Sequence, residues 1–122
     1  MENFRRFQAG PDPFGRHWII GFRWQQNGIS IRHSDTVDVK FHLLQDGKTS
    51  EKVIALVHPD LLALSTQQGR PLTDAWCLKL AALHLRYMIL TDTDMDQELV
   101  TVTPPDLTRA AVFLEQTTAA VR

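Results

Sequence analysis

The sequence predicts an α+β fold, a two-layer domain whose four-stranded antiparallel meander sheet is packed on one face by C-terminal helices. Three observations predict it. Apolar and polar side chains alternate in twos through residues 17–57, the period of half-buried strands. From residue 58 the pattern lengthens into apolar runs punctuated by Pro59, Gly69 and Thr73, which are helix start and stop signals. A third helical pattern begins at "TPPD", residues 103–106.

Residues 1–16 read as an N-terminal arm and residues 17–122 as one α+β domain. In the arm, Phe4, Phe7 and Phe14 are apolar anchors, and "GPDPFG" works against regular structure. Such an arm packs back on its own domain or crosses to a partner subunit. The first strand holds Trp18, Ile20, Phe22 and Trp24 inward. "NG" at 27–28 is a strong signal for a type I′ hairpin turn. A turn there starts a second strand and sets Trp24 opposite Ile31 and Phe22 opposite His33.

The third strand, "TVDVKFHLL", turns Val37, Val39, Phe41 and Leu43 inward. After it comes "DG" at 46–47. A two-residue turn there would set Phe41 opposite Lys52 on one face, so a longer loop or a bulge is expected. In that register Leu44, Ile54 and Leu56 form a second apolar patch on the outer face.

"HPD" at 58–60 matches the tripeptide of J-domain co-chaperones, but a strand-like run precedes it and no basic helix flanks it. Pro59 in a first turn, with Asp60 complementing the helix dipole, explains it better. The next helix has Thr73 as N-cap, and only Lys79, Ala82 and Arg86 give it a polar stripe, so it is expected to be buried on several sides. "ELVTVT" leaves room for a fifth strand near 98–103. The last helix has Thr103 as N-cap, Pro104 in first position and Asp106 three residues past the cap. It should turn Leu107, Ala111, Leu114, Thr118 and Val121 inward.

Composition narrows the function classes. At 122 residues the chain supports one core. Its 43% hydrophobic and 22% charged residues suit a folded protein, and no run approaches the ~18 apolar residues of a membrane span. Net charge is −1, so the basic excess of a nucleic-acid binder is missing. The first 58 residues carry eight Arg and Lys against six Asp and Glu, and the rest five against eight. An anion-binding surface is therefore expected in the first half. A single cysteine, Cys77, rules out an intrachain disulfide and suits a reducing compartment. The N-terminus does not read as a secretory signal, so the expected location is the cytoplasm.

Two clusters carry the candidate chemistry. "TDTDMDQE", residues 91–98, holds Asp92, Asp94, Asp96 and Glu98. With Asp92 in first position of a calcium loop, Gln97 stands where glycine is required and Thr103 where the bidentate glutamate is required. The stretch therefore reads as a hydrated connector. Its acids follow the negative end of a helix, so a nearby cation should balance them. The second cluster is a basic strip on the outer sheet face, Arg23, Arg32, Lys40 and His42, which suits an anionic small molecule.

Cys77 and His84 share a helix face, but seven residues rise about 10.5 Å. A nucleophile and its base must approach to roughly 3 Å, so the two are expected to be a buried thiol and a hydrogen-bonded histidine. No spacing implies a cofactor or a bound metal. The leading expectation is a non-enzymatic interaction or assembly domain, a homodimer formed through the arm or the apolar sheet patch. The alternatives are anion binding by the basic strip and a hydrolase with a His/Asp site that the sequence does not identify.

Overall fold

The computed structural model describes residues 3–28 and 35–121. The elements are β1 (Arg6–Ala9), β2 (Trp18–Gly28), β3 (Thr36–Gln45), β4 (Lys48–Val57), α1 (His58–Gln68), α2 (Asp74–Thr91), β5 (Leu99–Thr101) and α3 (Pro104–Val121). The strands form one sheet in chain order. β1 to β4 pair antiparallel, and β5 lies parallel to β4. The fold is α+β, with the helices on one side of a mostly antiparallel sheet. Ile20, Val39, Phe41, Leu43, Ile54 and Leu56 of the sheet meet Leu61 of α1, Leu80, Leu85, Met88 and Ile89 of α2 and Leu107 of α3 in one core. Among the described residues no helix is long and apolar enough to cross a membrane.

The arm contributes a strand. Arg6–Ala9 pairs with Gly21–Trp18 of the same chain, and the Phe22 N–H donates to the Arg5 carbonyl. The segment after β1 is irregular but ordered by Asp12. Its carboxylate accepts the N–H groups of Phe14 and Arg16, the Arg16 guanidinium and the Trp18 indole N–H. Burial pushes this carboxyl up, but those four donors outweigh it and hold the group well below the usual carboxylate range.

Asn27 and Gly28 are not a turn. They continue β2, opposite Val37 and Thr36 of β3. Ile31, Arg32 and His33 lie outside the described residues. Phe22 therefore faces Phe41, and Trp24 faces Lys40. A local turn preference yields here to a ladder that pairs Ile20 with Leu43 and Phe22 with Phe41 on the buried face.

The alternation in β2 also breaks. Its register shifts between Phe22 and Trp24, so Arg23 is the extra residue of a β-bulge. Beyond it Trp24 moves to the outer face, 37% exposed, where the uninterrupted period would have turned it inward.

The second turn does have two residues. Asp46 (φ 52°) and Gly47 (φ 75°) join Gln45 to Lys48, with the positive φ pair of a type I′ hairpin. Phe41 then stands opposite Lys52, and Ile54 and Leu56 turn toward the helices, fully buried. The expected outer patch of Leu44, Ile54 and Leu56 therefore does not form. Leu44 alone of the three is on the outer face, paired with Ile19 and Thr49. This two-residue turn buries Lys52, and a distant loop accommodates the lysine.

The helices start where their caps predict. The Thr73 hydroxyl accepts the Trp76 N–H at 3.1 Å, and the Leu107 N–H donates to the Thr103 carbonyl. Gly69 ends α1 in the left-handed region at φ 64°. α2 is more enclosed than its sequence pattern implies, because Ala82, assigned to a polar stripe, is buried as well. In α3, Leu107, Ala111 and Leu114 are buried, and the side chains of Thr118 and Val121 lie outside the described residues.

The Asp46–Gly47 turn is testable. A Cβ added at Gly47 meets no atom within 4 Å, so the cost of substitution there is backbone conformation alone. Gly47→Val should destabilise the protein by about 1–2 kcal/mol in urea unfolding. Asp46→Asn, which keeps a residue suited to positive φ, should stay within ~0.5 kcal/mol of the parent.

Candidate functional site

The bulge at Arg23 builds the outer-face candidate. Arg23 leaves the β2 alternation and stands beside Lys40 and His42 of β3. With Thr49, Ser50, Glu51, Val53 and Glu98 they line an open concavity of about 450 Å³. Three of the four residues of the basic strip are thus together, and Arg32 lies outside the described residues. The strip is not uniformly basic. Glu51 stands between its cations, with carboxylate oxygens 3.8 Å from Arg23 Nε and 3.6 Å from Lys40 Nζ. Lys40 Nζ also sits 5.7 Å from the centre of the Trp24 ring. An anion bound here would have to displace Glu51 and tolerate Glu98. Glu51 was legible only through the turn: a two-residue "DG" loop puts it directly opposite His42.

The acid-rich connector has an internal cation. Lys52 points from β4 into the helix side of the sheet and is 5% exposed. Its ammonium donates to the carbonyl oxygens of Met95 (2.8 Å) and Gln97 (2.5 Å). Burial lowers the Lys52 pKa, and Asp96, Glu98 and Asp94 act in the opposite direction without restoring the ordinary value. Asp92 closes α2 in the left-handed region at φ 53°, and Asp94 (φ 54°) accepts the Gln97 N–H in the next turn. These acids do not converge. Among the described residues, no three His, Cys, Asp or Glu side chains are placed to hold a metal ion.

Cys77 is buried in α2. Burial, with Asp74 adding to it, pushes its thiol up to about 11, so it is a poor nucleophile at neutral pH. His84, 3% exposed, departs from expectation: its Nδ1 has no hydrogen-bond partner. Burial lowers its pKa and keeps the ring neutral. Among the described residues no carboxylate bonds its Nδ1.

His84 lines a groove that sequence reasoning missed. α2 supplies Leu83, His84, Arg86, Tyr87 and Leu90, and α3 supplies Arg109, Ala110 and Phe113, around a largely apolar space of about 280 Å³. Arg109 stacks on Tyr87, its guanidinium carbon 3.4 Å from the ring centre, while its Nη1 donates to Asp106 at 2.8 Å. The signal available in the sequence was that α2 is apolar nearly all round, which left one stripe, Leu83–Tyr87–Leu90, without an assigned neighbour.

The lowered Lys52 pKa fixes the sign of a pH effect. The unfolded chain holds this proton more tightly than the folded one, so Lys52 contributes more stability as pH rises through its depressed pKa toward 10.5. The stability of the parent protein minus that of Lys52→Met, measured by urea unfolding, should increase over that window. A flat or falling difference would mean that the acids outweigh burial. Comparison of the chain with protein-family models, with curated proteins and with solved structures finds no match in any of the three.

Proposed function

We propose that this protein is a non-enzymatic assembly domain that forms a homodimer by stacking the outer faces of two sheets. The observation that carries the reading is one-sided coverage. The helices pack on one face, while the other leaves Ile19 (38%), Trp24 (37%) and Leu99 (60%) exposed around half-buried Leu44 and Val53. The register splits these side chains into two apolar ends, Ile19 with Leu44 and Trp24 with Val53 and Leu99, flanking a charged middle of Lys40, His42 and Glu51, and exposed apolar side chains on an uncovered sheet face favour an interaction surface.

Size and charge support the same reading. Strands of 4, 11, 10, 10 and 3 residues, at ~3.3 Å per residue and ~4.8 Å between strands, make a flat face of roughly 600 Å². Side-chain relief raises the accessible area toward the ~800 Å² that each partner gives to a standard interface. The face carries both signs, Arg23 and Lys40 against Glu51 and Glu98. A two-fold axis can therefore set acid against base between identical surfaces. Anion binding at the same strip is the weaker reading because Glu51 already bridges its cations. In this reading the protein works in the cytoplasm, where a lone buried thiol such as Cys77 stays reduced.

Sedimentation velocity tests the proposal. The parent should sediment at about twice the chain mass of 13.9 kDa at micromolar concentration. Ile19→Lys with Leu99→Lys should give a folded monomer, since both side chains are exposed in the isolated chain. Phe113→Lys, on the helix side, should leave the dimer intact. A parent that stays monomeric at millimolar concentration ends the proposal.

A further inference from the structure

We infer that the groove between α2 and α3 is a binding site for a small monocarboxylic acid with an apolar body. Three features of the groove select that chemistry. Its walls are Leu83, Tyr87 and Leu90 on one side and Ala110 and Phe113 on the other, so the body of the ligand is apolar. Its volume, about 280 Å³, falls just below the ~300–1,000 Å³ range of ligand pockets, so the ligand is small. A space of this size takes one or two side chains of a docking helix, too few for the repeated anchors by which helices bind grooves.

The polar groups select the other end of the ligand. The His84 ring is almost wholly buried and lines the groove, yet its Nδ1 has no partner. That nitrogen is itself closed off from the groove's open space, so the ring serves as a neutral wall and leaves the polar end of the ligand to the arginines. Among the described residues, the charged ones lining the groove are Arg86 and Arg109, with no carboxylate beside them. Stacking on Tyr87 and the bond to Asp106 fix the Arg109 plane, and a guanidinium has five N–H donors, of which Asp106 engages Nη1. A carboxylate at this rim would gain a charge-assisted hydrogen bond while its apolar body fills the space below.

The site rests on observations separate from the outer sheet face and does not require the dimer. Isothermal titration with decanoate, and with 1-decanol as its uncharged counterpart, tests it on the full chain. Decanoate should bind about tenfold more tightly than decanol. It should also shift the His84 ring resonances in NMR spectra. Arg109→Gln should weaken decanoate about tenfold and leave decanol unchanged, whereas Phe113→Ala should weaken both. Phe113 is 48% exposed, so its removal spares the core. Ile19→Lys with Leu99→Lys should bind decanoate as the parent does. No heat and no His84 shift at 1 mM decanoate overturns the proposal. Equal affinity for acid and alcohol overturns it as well, and so does unchanged binding by both groove variants.

Discussion

Lys52 crosses from the middle of a β-sheet to the connector between α2 and β5, and its ammonium holds the Met95 and Gln97 carbonyls there. This one contact ties the two halves of the chain together. On the strand side it follows from the β3–β4 register, which sets Lys52 opposite Phe41 and sends Ile54 and Leu56 into the core. On the helix side it fixes the segment that delivers β5 to the edge of β4, where the Val53 N–H donates to the Glu98 carbonyl. A buried charge is expensive unless it is hydrogen-bonded and compensated. Two carbonyls supply the bonds, and the surrounding carboxylates supply the compensation. The same contact identifies the cation that balances acids placed beyond the negative end of a helix.

The parts of the fold that could be read from the chain are those set by period and caps. Strands through residues 36–57, the helix starts at Thr73 and Thr103 and the Gly69 stop all follow from local chemistry. The β3–β4 register does not, because local chemistry disfavours a buried lysine such as Lys52. That rule holds for an isolated charge and fails when a distant loop supplies carbonyl oxygens. The bulge at Arg23 was equally hidden, since one extra residue inverts the facing of everything after it, and Trp24 changed sides with it. Of the basic strip, Arg23, Lys40 and His42 meet as their facing requires. Their neutralising partner Glu51 depends on the same two-residue turn. The helix groove was out of reach because it depends on how two helices with no sequence contact pack.

The two candidate surfaces lie on opposite layers. The outer sheet face is broad, shallow and mixed in charge, which suits a flat protein partner. The helix groove is narrow and apolar with arginines at its rim, which suits a small molecule. They share no lining residue, so changes at one leave the other intact. Tyr87 is the common support of the groove, stacked on His84 (ring centres 6.1 Å apart) and under Arg109.

β1 covers only the first part of β2. The arm's last contact is at Phe22, and among the described residues no strand pairs with Arg23–Gly28 on that side. An uncovered edge of this kind is a template for endless strand addition. Here the bulge stands at the first uncovered residue, where it interrupts the regular alternation of donors and acceptors that an incoming strand would read. A cationic side chain occupies that same position. The irregularity that builds the outer face therefore also guards the border of the sheet: it disfavours growth into fibres by strand addition.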